Sequence, residues 1–185
     1  QKGGDEDGKM GNYEKSDLLL GMTGGVTPAA PLAVVTFRHA FAGVRVTLVK
    51  GSGFSDRQWS ELEKSVLVGS TRRDAVVDLA AGTVIPSGEY DGRDIQAAAH
   101  GSDFRAVVVP QTVGAGATLL VINAGPDSWR FKREEQTVYA PGKLHSFTIQ
   151  VNSRQGGGGL EFSLVSESVT AWESDPESHN GEAKE

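Results

Sequence analysis

The chain has 185 residues, of which 24 are Gly and 7 are Pro, together about 17% against an ordinary ~12%, a share that favours a turn-rich β architecture. At 38% hydrophobic it holds enough apolar material for one core or two small ones, while the absence of Cys excludes disulfides, thiolate metal sites, iron–sulfur ligation and cysteine nucleophiles. The net charge of −6 resides in the ends, with three Lys against five acids in residues 1–17, one Lys against five acids in residues 173–185, and 14 basic against 14 acidic side chains between, so the balanced centre carries no basic footprint for nucleic acid or an acidic membrane.

Residues 1–17 are Gly-rich and charged, with Met10 and Tyr13 as the only sizeable apolar anchors, and read as a flexible leader that burial could not order. Their polarity excludes a signal-peptide core, and no apolar run reaches the ~18–20 residues of a membrane span. The expectation is a soluble chain from which any export signal has been removed. Leu18-Leu19-Leu20 is a short apolar segment before the breaker cluster Gly21 to Pro31. Ala33 to Val49 reads as one long bent strand: Val44, Val46 and Leu48 alternate with Arg45 and Thr47, and Gly43 marks a bulge or bend.

Ser55 followed by Gln58 is a capping-box spacing that starts the one short helix, through Lys64, with Trp59 and Leu62 turned inward. Short strands follow at Val66–Val68, Val76–Leu79, Phe104–Val109 and Thr118–Asn123, and the Ala124–Ser128 turn leads into Trp129 and Phe131 as a hairpin. His145, Phe147, Ile149 and Val151 share one strand face and Ser146, Thr148 and Gln150 the other, as in a sheet with one wet side. The Gly156–Gly159 run links that strand to Leu160–Leu164, and Val169 to Trp172 closes the ordered part. Eight or nine short strands with turns every ~8–12 residues is the spacing of a β-sandwich. The chain thus divides into a leader (1–17), one domain (18–172) and an acidic tail (173–185).

Chemistry finds little support. No two of His39, His100, His145 and His179 share a metal-ligand spacing; His39 and His145, both on expected strands, are the pair to watch. No nucleophile elbow, phosphate loop or His-Glu-x-x-His motif occurs. Glu89, Asp91 and Asp94 lack the spacing of a calcium loop and read as a solvated turn. The expectation is no catalytic, metal or cofactor residue. Trp59, Trp129 and Trp172 are the indoles available for a sugar-stacking platform, with Trp59 and Trp129 the candidate glycan contacts, although scattered Trp more often serve the core or its rim.

The stretch Phe37-Arg38-His39-Ala40-Phe41-Ala42-Gly43-Val44-Arg45-Val46 resembles a motif of the fimbrillin family, the pilin-like surface lipoproteins and type V pilus subunits of Gram-negative gut and oral anaerobes. Four further segments are similar in order: Asp17-Leu18-Leu19-Leu20, Val109-Pro110-Gln111, Ala140-Pro141-Gly142-Lys143 to Ile149, and Val169-Thr170-Ala171-Trp172. The resemblance implies a transthyretin-like β-sandwich, export as an outer-membrane lipoprotein, and a non-enzymatic role in fimbriae or cell adhesion on the extracellular surface. It also implies removal of an N-terminal strand by proteolysis and its replacement by a strand from another subunit, the physics being edge-strand pairing.

Leu18, Leu19 and Leu20 are the expected strand-exchange segment, filling a groove between strands. The partners expected are other fimbrial subunits or host or bacterial surface ligands. The family's upstream domain and lipid-bearing Cys do not occur in this sequence, which reads as a fragment or processed form. Residues 173–185 have no alternating apolar strand to donate, which suits a terminal, accessory or non-polymerising subunit. The alternatives are a carbohydrate-binding surface module using Trp59 and Trp129, and a hydrolase with two carboxylates about 5–10 Å apart in a cleft.

Overall fold

The computed structural model describes residues 12–23, 27–29, 35–154 and 159–173. Most of the expected leader, parts of the Gly21–Pro31 loop, Ala33-Val34, residues 155–158 and the tail from residue 174 lie outside the described residues. In chain order, helix α1 (Asn12–Ser16) leads to strands β1 (Leu19–Met22), β2 (Thr36–His39) and β3 (Ala42–Lys50). Helix α2 (Asp56–Glu61) precedes β4 (Lys64–Val68), β5 (Asp74–Asp78), β6 (Thr83–Ser87), β7 (Ile95–Gln96), β8 (Ala98–His100) and β9 (Asp103–Val108). The remaining strands are β10 (Gln111–Val113), β11 (Thr118–Ala124), β12 (Asp127–Lys132), β13 (Thr137–Tyr139), β14 (Lys143–Ser153) and β15 (Leu160–Ala171).

Period-two patterning builds the core. Val44, Val46 and Leu48 of β3, Phe147 and Ile149 of β14, and Phe104, Ala106 and Val108 of β9 line one sheet, ordered β15-β14-β3-β9-β8. They pack against Val66 and Val68 of β4 and Leu120 and Ile122 of β11 in a second sheet, ordered β12-β11-β4-β7. The result is an all-β sandwich. Each fully buried aliphatic side chain contributes about 1.5–3 kcal/mol relative to exposure. β3 and β14 are parallel neighbours, so the chain crosses over between them, whereas β14 and β15 form an antiparallel pair.

The two long sides of the sandwich differ. On one, the chain passes from β7 in the second sheet through Ala97, whose N–H donates to the Val66 carbonyl at 2.9 Å, into β8 of the first. That continuous crossing closes the side. On the other, β12 and β15 are both edge strands, joined by offset stacking of Trp129 on Phe162 and by the Leu160 N–H donating to Asp127 Oδ2 at 3.2 Å. β5 and β6 form a separate two-stranded arm, and β1 and β2 a separate two-stranded ladder.

Three local expectations change. The single bent strand is two: β2 turns away to pair with β1, and the break at Ala40-Phe41 is stabilised by Ala40 N–H donating to the Leu18 carbonyl and Gly142 N–H to that of Phe41, both at 2.8 Å. The two segments read at Leu160–Leu164 and Val169–Trp172 merge into β15, whose register shifts between Thr148 and Ile149 of its partner, so that Val165 bulges. Helix α2 has the expected capping box at Ser55 and Gln58, and the Lys64 ammonium donates to the Trp59 and Leu62 carbonyls at its far end. A second helix, α1, forms within the expected leader.

Candidate functional site

Three distant chain segments converge on His39. Its Nδ1 lies 3.0 and 2.9 Å from the two carboxylate oxygens of Asp17, just before β1. Its ring lies face to face with the Trp172 indole after β15, centroids 3.9 Å apart and planes within 6°. Trp172 in turn lies over Gly43, where a Cβ would fall 3.0 Å from the indole Cδ2, and its backbone N–H donates to the Gly142 carbonyl at 2.8 Å. The absence of a side chain at position 43 therefore seats the indole, a packing role in place of the expected bulge.

α1 is tied to the same end of the molecule. Burial pushes the Tyr13 phenol up to about 12, opposed chiefly by the positive charge of Arg105. Arg105 stands directly opposite Arg45 in the β3–β9 register. Both guanidinium groups approach the Asp103 carboxylate, at 3.8 and 3.9 Å, and Thr47 donates to that carboxylate at 2.7 Å. A shared acid thus offsets a like-charged cross-strand pair that would otherwise repel.

Beside this junction is a trough of about 1590 Å³, bounded by β1–β2, the tip of the β5–β6 arm and the Pro141–Lys143 turn. Leu19, Met22 and Phe37 on its walls are 46–64% exposed, and Arg38 and Lys143 bring positive charge. An apolar surface with flanking cations is suited to holding a polypeptide segment. Of the expected exchange segment, Leu19 and Leu20 pair with His39 and Arg38 of β2, and Leu18 is bonded to Ala40 through its carbonyl. The segment is thus a strand, paired with β2 and with neither principal sheet.

The two tryptophans singled out for sugars have packing partners. Trp59 meets Phe54 edge-on with centroids 5.6 Å apart and carries the Lys64 ammonium 4.5 Å above its ring. Trp129 stacks on Phe162 and tilts against Phe131, and both indoles pack partly against the core. His39 and His145 make separate contacts. His145 is buried against Tyr139, its imidazole pushed below the ordinary value by burial and then by the Arg133 charge. In the acidic turn, Asp91 accepts from Arg73 and Arg93, which hold its carboxyl far below the usual range, while Asp94 accepts from the Tyr90 hydroxyl at 2.6 Å. Gln111 clamps the chain before β5, donating to the Arg72 carbonyl and accepting from the Arg72 N–H, each at 2.9 Å. Sequence periodicity gave no sign of the Asp17–His39–Trp172 junction; only the ordered family motifs contain all three residues.

Residues 4–172 match the family described as fimbrillin-like. The chain belongs to that family. No curated protein matches it. Among solved structures, a Bacteroides uniformis protein provisionally assigned to cell adhesion superposes with a TM-score of 0.56 at 15% identity, over 75% of this chain and 53% of its own. A Bacteroides ovatus protein with the same assignment gives 0.54 at 9% identity, over 86% and 62%. A third, from Bacteroides fragilis, gives 0.54 at 13%, over 77% and 49%. These likenesses show a shared fold, and this fimbrillin-like chain spans about half to three fifths of those proteins' length.

Proposed function

We propose that this chain is a non-enzymatic cell-surface protein, a fimbrial, pilin-like subunit or accessory component that adheres and assembles through β-strand complementation. Its partners are other subunits or surface ligands, and its station is the outer membrane or fimbrium, held there by a lipid anchor. Family membership and the adhesion assignments of the structural neighbours support the surface role.

One observation carries the complementation reading. Among the described residues, β1 pairs only with the four residues of β2, and no residue of α1 or β1 belongs to the buried core cluster. Removing the segment leaves the sandwich core whole while uncovering the β2 edge and taking one wall from the trough, and an incoming extended strand replaces the lost ladder bonds and that wall. β15 offers a second edge of 12 residues, with no Lys, Pro or Gly to discourage pairing.

Deleting residues 1–25 tests the proposal. The expected outcome is association into species that persist on dilution, followed by light scattering. A truncated protein that stays a stable monomer refutes strand exchange at this site.

A further inference from the structure

The β5–β6 arm shows an exposed row for which the strand-pairing reading has no use. Val76 and Ile85 are a directly opposed cross-strand pair, and with Leu79 beyond the end of β5 they are 59–72% exposed. Two large aliphatic side chains directly opposed on one face of a small arm, with Leu79 exposed at its end, are an apolar surface of the kind that marks an interaction site. The row is acid-flanked: Asp74 and Asp78 bracket Val76 at the two-residue spacing that puts all three on one face, Thr83 and Ser87 stand opposite the two acids, and Asp78 Oδ1 also accepts from the Ala80 and Ala81 N–H groups at 2.9 Å in the turn. No cation belongs to that row. Arg73, just before it, is engaged by Asp91.

The trough has the complementary character. Leu19, Met22 and Phe37 give it exposed apolar walls, and Arg38 and Lys143 stand on it with no carboxylate partner among the described residues. Its acids are Asp17, which is bound to His39, and Glu173. About 1590 Å³ is space enough for several aliphatic side chains.

Arm and trough adjoin. Ala81 to Val84, the tip of the arm, form one wall of the trough, and a Cβ on Gly82 would lie 3.0 Å from the Met22 sulfur. A projecting apolar row beside a receptive hollow on the same chain lets two copies each give and receive at once about a twofold axis, the arrangement that closes the assembly at a dimer.

We infer that two copies of this chain pair isologously, the Val76–Ile85 face of each arm seated in the trough of the other, with Asp74 and Asp78 directed at Arg38 and Lys143. The occupant of the trough is a second copy because the matching apolar surface and the opposite charge stand on the same chain. The pairing is reversible, uses side chains instead of backbone ladders, and is distinct from strand exchange.

Sedimentation velocity across a concentration series, up to about 1 mM to cover weak association, tests the inference on the full chain. The expected result is a monomer–dimer equilibrium. Asp74→Lys and Lys143→Glu each weaken the dimer about tenfold or more, and together they restore much of the loss, because the inverted pair attracts again. Ile85→Ser weakens it without changing any charge. All three positions are exposed, and circular dichroism spectra identical to the parent confirm that each variant is folded. A chain monomeric throughout, a dimer indifferent to Asp74→Lys and Ile85→Ser, a double charge swap no better than its parts, or an open-ended series of larger species overturns the inference. Asp74→Lys leaves β1 and β2 untouched, so persistent assembly after deletion of residues 1–25 is retained in that variant, and the two readings fail separately.

Discussion

Replacing Gly43 by Ala perturbs the junction at one defined point. The new methyl would lie 2.9 Å from Leu144 Cδ1 and 3.0 and 3.1 Å from the Trp172 ring atoms Cδ2 and Cε2. The leucine tip can rotate aside at little cost. The indole is held more firmly, because the His39 ring stacks on it with centroids 3.9 Å apart. Overpacking of this kind costs about 1–3 kcal/mol, and Gly→Ala within a strand returns about 0.5–1 kcal/mol through lower entropy of the unfolded chain. The net expected loss is about 0.5–2 kcal/mol, or a few degrees in Tm at about 2–4 °C per kcal/mol for a domain of this size.

The sign is expected to reverse once Trp172 is gone. In a Trp172→Ala background, itself destabilised by about 2–3 kcal/mol for a partly buried indole, Gly43→Ala should be neutral or stabilising. Urea unfolding followed by far-ultraviolet circular dichroism measures all four proteins without relying on tryptophan emission. Equal slopes keep the comparison to stability alone. If Gly43→Ala costs the same with and without the indole, Trp172 does not rest on Gly43 and the account of the junction is wrong.

Two further outcomes follow from the fold. The His145 imidazole is held below its ordinary value by burial and by Arg133, with Glu167 opposing. The unfolded chain therefore takes a proton first as the pH falls through about 6.5, and stability declines from there until the folded group titrates. Urea midpoints between pH 8 and 5 should fall more steeply for the parent than for His145→Gln, and parallel profiles contradict the assignment. Ser55→Ala removes the reciprocal cap of α2 and should cost about 1 kcal/mol; an unchanged thermal midpoint would show that the cap contributes nothing.

The sandwich was legible wherever one face of a strand is wet. His145, Phe147, Ile149 and Val151 are buried and alternate with half-exposed Ser146, Thr148 and Gln150, and the turns at Gly125 and Gly142 fall where left-handed backbone requires glycine. The break at Ala40-Phe41 was not legible, because apolar residues continue through it and the decision is made by bonds to Leu18 and Gly142, distant in sequence. β15 reads in sequence as two pieces for a related reason: its C-terminal half is exposed on both faces and shows no amphipathic alternation. α1 is not legible because its anchor is tertiary, the half-buried Tyr13 phenol close to Arg105 and Arg45. At the site, the ordered motifs supplied Asp17, His39 and Trp172 one by one. Their union depends on a ring stack and a carboxylate contact between residues 22 and 133 positions apart, which no local pattern encodes.

Titrating a synthetic peptide of residues 12–23 into protein lacking residues 1–25 tests most directly whether β1 is a replaceable strand. Saturable one-to-one binding by calorimetry, renewed protection of the Thr36–His39 amides against hydrogen exchange and suppression of self-association are the predicted result. A truncated protein that neither binds the peptide nor changes its exchange at β2 would contradict the account.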